Sequence, residues 1–161
     1  MVSTTSERSQ IRLSLLDQLL DDEPQNQREV PLDDVEKLRI IQLGIRRDLQ
    51  DLLNTRFRCM AWPPDMEAMD DTLINYGIPD FTAASQNAAQ ESEFLLQAIR
   101  QAIDIFEPRL ADVRISAQNN QEEHDRTFRF QIEATLLIED SRHRVQFRSS
   151  VESTTGQFDI E

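Results

Sequence analysis

The sequence predicts an α+β fold: three or four helices packed on one face of a small antiparallel sheet, a three- to four-stranded meander at the C-terminus. Two observations carry this expectation. Apolar residues recur every three or four positions as far as Phe106, and every second position from Val113 onward. Glycine occurs only three times, too seldom to supply the positive-φ turns of an all-β sandwich with many hairpins.

The 161 residues suffice for one domain with a real core. An N-terminal arm of residues 1–30, a short helix and a polar linker, is expected to precede a single α+β domain over 31–161. Residues 1–9 are polar. Ile11, Leu15, Leu16 and Leu19 then line one side of a short helix, with Leu13 and Leu20 widening that surface and Pro24 stopping it. The stretch Asp21 to Glu29 reads as a solvated linker, so this helix is expected to dock apart from the main core.

After Pro31, Asp33 and Glu36 stand at capping-box spacing and mark the start of a second helix. Val35, Leu38, Ile41, Ile45, Leu49 and Leu52 follow at intervals of three or four and draw one apolar stripe along it. Gly44 within this helix costs about 1 kcal/mol of propensity against alanine, which predicts the close approach of another backbone there. Met66, Met69 and Leu73 predict a short helix between Pro63-Pro64 and Gly77. A further helix runs from about Ala88 to Phe106, its inner face Leu95, Ile99, Ala102, Ile103 and Phe106, and Pro108 ends it.

Beyond that proline Val113, Ile115 and Ala117 alternate, as do Phe128, Phe130, Ile132, Ala134, Leu136 and Ile138. Val145, Phe147, Ser149 and Val151 continue the pattern, and Phe158 with Ile160 adds a short last strand after Gly156. Each strand is expected to bury one face, with the helices covering it.

The formal net charge of −13 repels phosphate backbones and anionic headgroups, which argues against nucleic acid and membrane partners. The single cysteine, Cys59, lacks a second thiol for a disulfide or a metal pair. The N-terminus lacks the basic and apolar regions of a signal peptide, and no run approaches the ~18 apolar residues of a membrane span. A cytoplasmic location is expected.

Four strings occur in order: Ser14-Leu15-Leu16-Asp17-Gln18-Leu19-Leu20-Asp21, Leu52-Leu53-Asn54-Thr55-Arg56, Tyr76-Gly77-Ile78-Pro79-Asp80-Phe81 and Phe106-Glu107-Pro108-Arg109-Leu110. Together they resemble the TssE-type baseplate wedge subunits of bacterial type VI secretion systems. That family is shared with contractile phage baseplates and is sometimes labelled lysozyme-like. Ile78 stands where leucine is commoner and Gln18 where a basic residue is frequent; neither change removes a mechanism.

The resemblance implies a structural role without a cofactor. The chain would join TssF, TssG and TssK in a membrane-docked baseplate wedge and help start the TssB/TssC sheath around the Hcp tube, with the VgrG spike within reach through the assembly. It further implies that Glu107, Pro108 and Arg109 form a contact node for sheath attachment. The residues themselves admit a second reading, an internal helix stop and ion pair in which Arg109 also satisfies the last carbonyls of the helix. For Tyr76, Gly77, Ile78, Pro79, Asp80 and Phe81 the readings are a stiff docking loop or a turn whose aromatics plug the core. A sheet edge that accepts a strand from another chain is a further candidate, and Arg142, Arg144, Arg148 and Glu152 would guard it.

An enzyme is not expected. A glycosidase needs two carboxylates ~5 to 10 Å apart in a cleft, one of them poised to give up a proton, and Glu107 stands in pairing distance of Arg109 instead. His124 and His143 lack neighbours at a zinc spacing and are expected to be solvated, and no phosphate-binding glycine loop or nucleophile elbow is present.

Overall fold

The computed structural model describes residues 11–20, 32–57, 63–69, 72–80, 88–118, 127–139, 141–152 and 155–161. The linker from Asp21, the strand-connecting segment with His124, and Cys59 lie outside them. The described elements run α1 (Leu15–Leu19), α2 (Asp34–Asn54), two 3₁₀ segments (Pro64–Met69 and Leu73–Asn75), α3 (Ala88–Phe106), β1 (Leu110–Gln118), β2 (Thr127–Ile138), β3 (Ser141–Glu152) and β4 (Phe158–Ile160). The sheet is antiparallel in the order β1-β2-β3-β4, the meander that the alternation predicts.

The capping box at the start of α2 is complete: the Glu36 amide donates to Asp33 Oδ1, and the Asp33 amide donates to Glu36 Oε2. Ile41, Ile45, Leu49 and Leu52 then bury as the stripe predicts, joined by Leu53. Val35 departs from the expectation and stands 74 % exposed. Gly44 does receive a close neighbour, but a side chain and not a backbone: a Cβ there would lie 3.0 and 3.2 Å from the two carboxylate oxygens of Asp17. The short helix expected around Met66 is instead a kinked 3₁₀ segment, broken where Met66 takes φ −116° and ψ 20°, and Met66 and Leu73 face solvent.

α3 lies along β1 and α2 along β4, both on the face where Val113, Phe130, Ile132, Leu136, Val145, Phe147 and Val151 point inward. Ala117 is exposed where alternation predicts burial. The β1–β2 register shifts between Ala111 and Arg114 with Asp112 at φ 54°, a bulge that a short polar side chain tolerates.

The outer edge of β4 is sealed by a helix. Arg46 Nε donates to the Ile160 carbonyl (2.6 Å), Gln50 Oε1 accepts from the Ile160 amide (3.0 Å), and Gln50 Nε2 donates to the Phe158 carbonyl. Asn54 accepts from the Phe158 amide through Oδ1 (2.9 Å) and donates to its carbonyl through Nδ2 (3.0 Å). Arg46, Gln50 and Asn54 stand four residues apart, one above the other on a helix face, and serve as the strand that β4 lacks on that side. Arg56 extends the clamp by donating to the Gly156 carbonyl (2.6 Å), its guanidinium 5.5 Å from the centre of the Phe158 ring.

Replacing both Gln50 and Asn54 by alanine removes four of these bonds and is expected to cost about 3 kcal/mol in urea unfolding. The Phe158 and Ile160 amides should then exchange by local opening while β2 amides exchange only through global unfolding. A uniform change across the sheet would show that the clamp is not local to β4.

Candidate functional site

The C-terminus of α3 turns through Pro108 into β1, with the Glu107 amide still donating to Ile103 (2.9 Å) and the Leu110 amide donating back to Glu107 (3.0 Å). The turn directs the Glu107 side chain inward, where the residue is 4 % exposed. Arg109 meets it as a fork: Nε donates to Oε1 at 2.6 Å and Nη2 to Oε2 at 2.5 Å. The same Nη2 donates to Asp48 Oδ2 of α2 at 2.5 Å. Arg109 thus makes the internal ion pair that the residues admit, and its Nη2 adds a second carboxylate, Asp48, that the sequence does not point to. The Glu107 hydrogen bond raises the Arg109 pKa above its usual value, burial works against that rise, and Asp48 adds to it, so the guanidinium stays charged. Backbone pairing fixes it further, because the Leu137 amide of β2 donates to the Arg109 carbonyl (2.8 Å).

The network continues beyond the pair. Arg47 donates through Nε and Nη2 to Asp48 Oδ1, both at 3.2 Å, and its Nη2 lies 3.5 Å from Asp17 Oδ1 on α1. Asp17 is held in turn by the Ser14 hydroxyl (2.6 Å), whose oxygen accepts from the Asp17 amide as the N-cap of α1. Charges of alternating sign therefore run from Glu107 through Arg109, Asp48 and Arg47 to Asp17, and join the end of α3, the start of β1, the middle of α2 and the N-terminal segment. Sequence reasoning found only the first two. The signal for the rest was Gly44, one helical turn before Asp48, where a missing side chain makes room for Asp17.

The loop from Tyr76 is tied to the end of α2. Gly77 adopts φ +117°, and a Cβ there would lie 2.4 Å from the Thr55 carbonyl oxygen, so glycine is required. Ile78 is fully buried and bridges Arg56: its amide donates to Thr55 (3.0 Å) and its carbonyl accepts from Phe57 (3.3 Å). Tyr76 rests edge-on against Phe106 at 5.2 Å and brings the loop to the last turn of α3, beside Glu107. Pro79 is half-buried and Asp80 exposed; Phe81 lies outside the described residues. Two site candidates that are separate in sequence thus converge through the Tyr76–Phe106 contact.

The sheet edges differ from each other. β4 covers β3 only from Ser149 to Val151, with flanking bonds from Arg148 to Glu161 and from Glu152 to Gln157. The even-numbered residues of β3 direct their backbone groups to that side, and the β2–β3 register is unbroken from Ser141 to Glu152. Among the described residues, the outward N–H and C=O groups of Arg142, Arg144 and Gln146 therefore meet no further strand beyond β4. Arg142, Arg144 and Arg148 extend from the solvent face and make no side-chain hydrogen bond or ion pair among the described residues.

Among the described residues no group of three or more His, Cys, Asp or Glu side chains could hold a metal ion. His143 is half-buried, not fully solvated as the sequence suggested, and its Nε2 lies 3.0 Å from Ser141 Oγ. Both oxygens of Glu107 are engaged by one guanidinium, which fixes the geometry of the pair. No described helix is long and apolar enough to cross a membrane.

The family model described as baseplate wedge protein gp25 matches residues 42–141 of the chain. Among solved structures, a chain from the baseplate complex of the type VI secretion system is similar, at 17 % identity and a TM-score of 0.47, over 68 % of this chain and 93 % of that one. No curated protein matches.

Two outcomes check the site. Arg109→Ala leaves a buried carboxylate without its cation and is expected to cost about 3 kcal/mol or more by denaturant unfolding, whereas a loss below about 1 kcal/mol would mean that Glu107 finds another partner. Tyr76 is the chain's only tyrosine, so absorbance at 295 nm reads it alone. Burial, then Asp51, Asp48 and Glu107, raise its pKa, so the midpoint should lie above the ordinary value of 10.0. With the folded value raised, this contribution to stability is complete below pH 10 and is lost as pH rises through the folded midpoint.

Proposed function

The chain belongs to the gp25 family of baseplate wedge proteins, and from that premise we propose that it is the TssE-type wedge subunit of a type VI secretion baseplate, a structural part that makes and breaks no bond. On this reading it joins TssF, TssG and TssK in each wedge at the cytoplasmic side of a membrane-docked baseplate. It then helps start the TssB/TssC sheath around the Hcp tube, with the VgrG spike within reach through the assembly. Residues 1–30 act as an arm on a domain formed by 31–161.

The observation that carries the reading is the contrast between the two stretches of edge beside β3. α2 side chains close the outer side of β4, while Arg142, Arg144 and Gln146 keep free backbone donors and acceptors in line. An extended segment of a sheath chain can add there by main-chain hydrogen bonds. Glu107, Pro108 and Arg109 contribute by locking β1, and through it the sheet, at a set angle to the helices, with the partly exposed Arg109 and Asp48 heads left at the surface for contact. The loop Tyr76 to Asp80 supports the same corner from below.

Coexpression with TssF and TssG is expected to give one shared elution peak; separate peaks would favour a cytosolic regulator that uses the same fold to bind an unrelated target. Arg144→Pro deletes an outward N–H that no ladder bond uses, a change that edge strands tolerate. It should stop sheath assembly while leaving thermal unfolding and copurification with TssF and TssG near normal. Sheaths of normal number and length in that variant would exclude the β3 edge as the attachment point.

A further inference from the structure

The N-terminal segment is built inside out. α1 turns its polar side inward: the Asp17 side chain is 4 % exposed, set over Gly44 and against Arg47. Its apolar side faces water, with Leu15 and Leu19 each 80 % exposed, Leu16 51 % and Leu20 55 %. An amphipathic helix that served the core would be rotated the other way.

A helix of five residues does not hold itself in water, so its pose comes from its anchors. Ile11 and Leu13 pack on the core, Ser14 caps the first turn, Gln18 Nε2 donates to the Leu13 carbonyl (2.8 Å), and Asp17 docks on α2. The fold commits a buried carboxylate and a glycine in the middle of α2 to this pose. None of that commitment buries the leucines.

We propose that residues 11–20 are a preset docking arm whose four leucines enter an apolar groove, rimmed by Lys and Arg, on a neighbouring protein of the baseplate. The proposal rests on the wedge reading and adds to it the kind of surface the partner must offer. Leu15, Leu16, Leu19 and Leu20 follow the i, i+1, i+4, i+5 spacing of a helix laid in a groove. Charge selects the rim. The chain carries a net −13, and Asp21, Asp22 and Glu23 follow Leu20 directly in sequence, so a basic border is attracted while a second copy of this chain is repelled. Asp17 is a positioning residue: it sets the arm through Arg47 and touches no partner.

The test uses the full chain titrated against purified TssF–TssG subcomplex at low and high salt. Leu15→Ser with Leu19→Ser should weaken binding at least tenfold with unchanged thermal unfolding, since both side chains already face water. Leu15→Met with Leu19→Met should retain it. Asp17→Asn should weaken binding less and speed proteolysis between residues 14 and 20, and wild-type affinity should fall as salt rises. Wild-type affinity in the serine variant would overturn the arm proposal alone, and affinity that rises with salt would overturn its basic rim. A wild-type chain that fails to bind the subcomplex at all would overturn the wedge reading and the arm with it.

Discussion

A carboxyl group taken out of water needs fixed donors in place of the water it has lost, and Arg109 supplies them for Glu107 from two residues away. The pair alone would fix one turn. Its reach comes from the second carboxylate: Asp48 binds the same guanidinium from the middle of α2, so the end of α3 cannot shift along α2 without breaking a charge-assisted bond. Because β1 begins at the next residue, the whole sheet inherits that restraint. The Tyr76–Phe106 contact and the required Gly77 brace the same corner from the loop side.

The sheet meets the helices at its far end through a different device. A strand of three residues has too little backbone pairing to stay on a sheet by itself, and Arg46, Gln50 and Asn54 complete it with side-chain groups at one-turn spacing. The ~6.0 Å rise over four helical residues falls short of the ~6.8 Å between alternate strand residues, and long, flexible side chains absorb that mismatch. α2 therefore acts as both core helix and edge strand. One consequence is that the outer backbone groups of Phe158 and Ile160 are already taken by α2.

Local periodicity revealed the helices, the strand alternation and the ends of α3, because those features arise from residues close in sequence that share one buried face. The same logic failed for Val35, Ala117, Met66 and Leu73, whose spacing fits a buried face that the neighbouring elements do not reach. Glu107 and Arg109 stood out through the proline between them. Asp48, Arg47 and Asp17 did not, since an acid or a base on a helix surface looks alike in sequence whether its partner is water or a charge sixty residues away. Gly44 was read correctly as a close approach and wrongly as a backbone one, because a missing Cβ states only that space is needed. The Gln50 and Asn54 clamp was equally hidden: amides on the flank of an apolar stripe carry no mark that β4 will end beside them.

Burying charge is a poor route to stability, since a well-packed apolar cluster often does as well, but it is a demanding one for geometry. Apolar contacts tolerate small sliding, whereas a bidentate guanidinium pair loses its bonds within a few tenths of an ångström. The five-residue relay from Glu107 to Asp17 is thus best understood as a set of angular restraints. At one end it orients β1 and the sheet; at the other it orients α1 and its outward leucines. A continuous chain of ion pairs across α2 links α1 to the start of β1.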